Sequence, residues 1–180
     1  MKTVILIGFM GCGKTSLGQY AADRLGMAFV DTDSRIEEIC GMPISRIFAE
    51  RGEAWFRQLE SEVLADCCRR GGMIVATGGG IVKDPRNAAL VRENNGFLLY
   101  LRTDPEEIYH RLRDDNSRPL LNPYLGEAKL RRICELMDER KLLYEEAADD
   151  VFDEQGASME EIGEELSVRI REIASESAKI

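Results

Sequence analysis

The chain has one histidine, one tryptophan and five prolines among 180 residues. With so little proline, and with 44% hydrophobic and 32% charged residues, wholesale disorder and collagen-like structure are excluded. No apolar run approaches the about 20 residues of a membrane span, so no membrane partner is expected. A single Lys precedes the apolar stretch at Val4. Without a longer basic-then-apolar leader, export is not expected and a cytoplasmic location is. The five cysteines (Cys12, Cys40, Cys67, Cys68 and Cys134) form no CxxC pair. That set fits reduced thiols rather than a disulfide framework or a zinc site. Positive charge is scarce too. With 24 Lys+Arg against 33 Asp+Glu, the net charge is −9, which disfavours nucleic acid as a partner. Any anionic ligand must be met by cations gathered locally.

The length suits one domain, residues 1–180. Short apolar runs alternate with amphipathic stretches, without repeats or Gly/Ser-rich linkers. Strands are expected at 4–7, 27–30, 73–76 and 97–101, with a short one at 151–152. Helices are expected at 14–25, 34–40, 53–70, from Asp104 onward, at 127–147, and after Ser158. The alternative to a functional role for Asp33 is that Asp33 or Ser34 caps the second helix, Ser34 with Glu37 as a capping box; Asp104 with Pro105 marks the start of another helix, and Ser158 with Glu161 caps the last. Continuous apolar strands separated by helices imply an α/β fold with a parallel sheet covered on both faces. The polar stretch 114–126 is the one irregular segment inside the body and reads as functional or mobile.

Gly8-Phe9-Met10-Gly11-Cys12-Gly13-Lys14-Thr15 matches G-x-x-x-x-G-K-[ST] between an expected strand and an expected helix. The glycines let backbone approach phosphate oxygens closely. Backbone N–H groups and the positive helix end then surround the anion. Lys14 would reach the β/γ-phosphates and the Thr15 hydroxyl would bind Mg²⁺. A guanine-reading N-K-x-D is missing, which excludes a GTPase switch. Asp31-Thr32-Asp33 and Thr77-Gly78-Gly79-Gly80 close two strands at the end where such sheets bind ligands. Arg111 and Arg118 bracket a polar segment and are candidates to meet transferring phosphate.

The ordered set resembles the shikimate kinase family: the 8–15 loop, Asp31-x-Asp33, Glu53-x-x-Phe56-Arg57, Gly78-Gly79-Gly80, Arg118-Pro119-Leu120-Leu121 and Glu139-Arg140-x-x-x-Tyr144. The resemblance implies a three-layer P-loop kinase fold with a five-stranded parallel sheet. It also implies a substrate-binding helical region at about 33–62 and a mobile lid at about 112–125. The implied reaction is transfer of the ATP γ-phosphoryl to the 3-hydroxyl of shikimate, with one Mg²⁺ ion. Gly11, Cys12, Gly13, Lys14, Thr15 and Ser16 would hold the ATP phosphates, and Thr15 and Asp31 would serve the metal. Lys14, Asp33 and Arg118 would be catalytic, with Asp33 orienting or deprotonating the acceptor hydroxyl. Arg57 and Arg140 would clamp the shikimate carboxylate beside Gly78, Gly79 and Gly80. Arg111, Arg118 and Gln155 would complete the nucleotide contacts. A monomer is expected, with ATP and shikimate as its partners.

Read without the resemblance, Arg57 and Arg140 are ordinary surface arginines, with Glu53 and Glu60 as surface partners of Arg57. His110 reads as a helix-face residue without a catalytic role, and no catalytic role is expected of Cys12. The enzymatic alternative is a kinase for another polyol acid such as gluconate. The alternative outside enzymes is an ATP-binding module without a small substrate.

Overall fold

The computed structural model describes residues 1–115, 120–154 and 158–176. Its chain order is β1 (Thr3–Ile7), α1 (Lys14–Leu25), β2 (Ala28–Asp31), α2 (Thr32–Cys40), α3 (Ile44–Arg51), α4 (Glu53–Arg70) and β3 (Met73–Ala76). A 3₁₀ turn (Ile81–Lys83), α5 (Arg86–Glu93), β4 (Gly96–Arg102), α6 (Pro105–Leu112), α7 (Gly126–Ala147), β5 (Asp150–Asp153) and α8 (Met159–Ser175) follow.

The five strands form one parallel sheet in the order β2-β3-β1-β4-β5. Every residue of β1 is buried, because helices cover both faces. Val4 and Leu6 belong to one core, with Leu17 and Ala21 of α1 and Leu166 and Ile170 of α8. Ile5 and Ile7 belong to the other, among Phe56, Val63 and Leu64 of α4, Val91 of α5 and Tyr144 of α7. The alternation of side chains along a strand therefore divides β1 between two cores.

Several boundaries differ from the sequence expectation. β2 runs one residue later, and Asp31 is both its last residue and the N-cap of α2. Its carboxylate accepts from the Ser34 N–H at 3.1 Å, so neither Asp33 nor Ser34 is the cap. The strand enters the helix without a loop, which moves the cap position back to the strand end. Glu37, the expected partner of Ser34, instead accepts from the Ile44 N–H at 2.8 Å, at the start of α3. Asp104 stands at the N-cap of α6, but its side chain makes no capping bond. The Ser158–Glu161 capping box of α8 forms as expected.

α3, the 3₁₀ turn and α5 have no counterpart in the sequence expectation. α3 and α5 are eight residues each and bury only Ile47, and Asn87 with Val91, so they present little periodic signal. The polar stretch is anchored just before it and within it. Leu112 closes α6, and Leu121 is fully buried in the core. The buried Lys129 ammonium donates to the carbonyls of Leu112, Arg113 and Asp115 at 2.6, 3.0 and 3.2 Å, satisfying the end of α6.

Gly18 is a point of close approach between α1 and the sheet. A Cβ there would stand 2.8 Å from the Phe29 ring and 2.9 Å from Leu6 Cδ1. Gly18→Val should therefore cost about 1–3 kcal/mol through overpacking, measured by urea unfolding. Unchanged stability would contradict this packing.

Candidate active site

The 8–15 loop leaves the carboxyl end of β1 and delivers the chain into α1. Gly11 and Gly13 hold it in left-handed conformations, at φ +80° and +85°. Gly13 is the N-cap of α1, so the loop ends on the positive helix pole. The mostly buried Lys14 ammonium donates to the Gly8 and Phe9 carbonyls, each at 2.8 Å. Its charge is thus centred over the loop. Cys12 turns inward: it is buried, and its N–H donates to the Phe9 carbonyl at 3.3 Å.

A cavity of about 580 Å³ opens beside this loop. Gly11, Gly13, Lys14, Thr15, Ser16, Asp31, Asp33, Gly78, Gly79 and Arg111 all line it. Thr15 Oγ1 donates to Asp31 Oδ2 at 2.7 Å, which joins the two expected metal ligands between the start of α1 and the end of β2. A hydroxyl beside a carboxylate is a donor set that suits a hard cation such as Mg²⁺. Among the described residues, no cluster of three or more His, Cys, Asp or Glu could hold a metal ion.

The glycine loop after β3 lies beside the phosphate loop in the cavity wall. A Cβ on Gly78 would stand 2.9 Å from Asp33 Oδ1 and 3.0 Å from Glu60 Oε1. A Cβ on Gly80 would stand 2.6 Å from Arg57 Nη2. Side chains of α2 and α4 therefore lie directly on this backbone. Arg57 donates to Glu60 Oε2 at 2.7 Å and to Glu53 Oε1 at 3.3 Å. Glu53 is exposed, whereas Glu60 is fully buried. Arg140 is nearly buried too, with its guanidinium over the Phe9 ring at 5.7 Å. Neither arginine is the solvated surface residue that its local sequence suggests.

Arg111 lies against the outer side of the phosphate loop. It donates to Glu107 Oε1 at 2.9 Å and to both carboxylate oxygens of Glu154. Thr103 also donates to Glu154, at 2.6 Å. Burial opposes the Arg111 charge, but Glu154 and Glu107 outweigh it and raise its pKa. Arg118 and Gln155 lie outside the described residues. Sequence reasoning missed the burial of Glu60, the Glu154 partnership, and the contribution of Ser158, Met159 and Ile162 to the cavity wall. Glu154 follows β5 at the ligand end of the sheet, and that position is its available signal.

A family model described as shikimate kinase matches residues 10–171. The chain belongs to the shikimate kinase family. A shikimate kinase of Dehalococcoides mccartyi is 40% identical over 98% of this chain and 97% of its own. The structure of a shikimate kinase from Acinetobacter baumannii, solved in complex with shikimate, is similar at TM-score 0.81 and 30% identity, covering 100% of this chain and 96% of that one. A gluconokinase from Sinorhizobium meliloti, at TM-score 0.57 and 16% identity over 97% of this chain and 94% of that one, shares the fold alone.

Burial, above all, raises the Glu60 carboxyl above its ordinary value of 4.5; Arg57 opposes the shift, while Asp33 and Glu53 add to it. The native state therefore holds this proton more tightly than the unfolded chain. The resulting stabilisation is fully present below 4.5 and is lost as pH rises through the folded value. Wild type should accordingly lose stability relative to Glu60→Gln as pH rises through that window, followed by thermal unfolding. The opposite slope would show that Arg57 governs the carboxyl.

Proposed function

We propose that this shikimate kinase family member transfers the γ-phosphoryl of ATP to the 3-hydroxyl of shikimate, giving shikimate 3-phosphate and ADP. The observation that carries the reading is the juxtaposition of a phosphate loop with a glycine loop on which Asp33 and Arg57 lie directly. Family membership supports the same reaction.

Phosphoryl transfer asks mainly for positioning and charge. The loop N–H groups and Lys14 would hold the nucleotide phosphates and stabilise charge on the transferring group. Thr15 and Asp31 would hold Mg²⁺, which would neutralise phosphate charge when bound. Asp33 would accept a hydrogen bond from the 3-hydroxyl, aim it at the γ-phosphorus and receive its proton. Arg57 and Arg140 would pair with the substrate carboxylate, for which an arginine fork is well shaped. Arg111 would border the adenine side, and Arg118 would approach the phosphates from the segment at about 112–125. We place the reaction in one cytoplasmic domain acting as a monomer. The free cysteines fit a reducing compartment, and one chain supplies the residues assigned above. Among the described residues, no helix is long and apolar enough to cross a membrane.

A coupled ADP-release assay tests the reading. ADP should appear with shikimate and not with gluconate. Arg57→Ala and Arg140→Ala should each raise the KM for shikimate by about tenfold or more and leave the KM for ATP nearly unchanged. Turnover of gluconate alone, or of neither acid, would overturn the assignment.

A further inference from the structure

Tyr144 lies one helical turn beyond Arg140 on α7 and is 1% exposed. Its hydroxyl donates to the Gly79 carbonyl at 2.6 Å. Its ring stacks on Tyr100, with centroids 5.0 Å apart and planes 18° apart. The donor is therefore held by a ring that packing has already fixed. Burial pushes the Tyr144 phenol well above its ordinary value against the pull of Arg140, so it remains protonated and donating.

Gly79 needs such a restraint. Glycine has no side chain to limit its backbone, and this one lies close to the phosphate loop. A Cβ on Gly79 would stand 3.5 Å from both the Gly8 carbonyl oxygen and the Met10 nitrogen. The Gly79–Gly80 peptide is planar and trans, so holding the Gly79 carbonyl directs the Gly80 N–H to the opposite side. Arg57 rests on that same Gly80.

We propose that Tyr144 is a positioning residue for the acceptor substrate: it fixes the plane of the Gly79–Gly80 peptide and so sets shikimate affinity without touching either substrate. The proposal rests on the kinase reading given above. Tyr144→Phe keeps the stacked ring and removes the hydroxyl, which Arg140 also bonds, so its effect on shikimate must persist in an Arg140→Ala background. Its KM for shikimate should rise by about tenfold, the scale of one lost buried hydrogen bond, while kcat and the KM for ATP stay within about twofold. Melting temperature should fall by only a few degrees. An unchanged shikimate KM, or an equal rise for ATP, would overturn the proposal. Wild type that fails to phosphorylate shikimate would instead defeat the kinase reading. If Tyr144→Phe does not fold, 4-fluorophenylalanine at position 144 fills the place of the hydroxyl without donating to Gly79. The shikimate KM must then move and the ATP KM must not; constancy of both would also overturn the proposal.

Discussion

The backbone of Gly78–Gly80 is approached so closely by charged side chains that a Cβ on Gly78 or Gly80 would displace them. Asp33 and Glu60 lie over Gly78, and Arg57 lies on Gly80. On the third side, Tyr144 takes the Gly79 carbonyl. A single turn thus orients groups from α2, α4 and α7. Arg57 is the one cation among these groups, and in a protein of net charge −9 it is held on the turn by its own carboxylate partners. Glu53 and Glu60 hold the Arg57 fork in place, and their pull on its pKa outweighs the burial that opposes its charge.

The sheet brings this turn to the nucleotide side. β1 pairs with β3 on one side and with β4 on the other, so the strand order reverses at β1. Ligand sites in open α/β sheets form at such a reversal, beyond the carboxyl ends of the strands. The Thr77 N–H and hydroxyl both donate to the Leu6 carbonyl, at 3.3 and 2.9 Å, and tie the two loops together at their roots. The phosphate loop and the glycine loop therefore share one wall, and a shift of either is felt by the other.

The phosphate loop is legible in the sequence because every residue of its motif has a local reason to be there. The buried strands are legible for a similar reason: an unbroken apolar run such as Val4–Ile7, stopped by glycine, suits a strand covered on both faces. Arg57 and Arg140 are legible only through the family resemblance, since nothing local distinguishes a buried arginine from an exposed one. Glu60 looks like an i+3 surface partner because spacing along a helix does not reveal which face is covered. Asp31 is expected to serve a metal, but its second role as the cap of α2 depends on a strand passing directly into a helix. α3 and α5 escape notice because eight residues give barely two turns of pattern. Arg118 and Gln155 lie outside the described residues, so their assigned roles rest on the resemblance.

Gly80→Ala is the most direct test of the glycine turn as the organiser of the acceptor site. Its added methyl would enter the space of the Arg57 guanidinium, the movable end of a long side chain, so the fold should survive. Calorimetric titration should show shikimate affinity reduced by about tenfold or more, with ATP affinity within about twofold of wild type. Wild-type shikimate affinity in a folded Gly80→Ala protein would contradict the account.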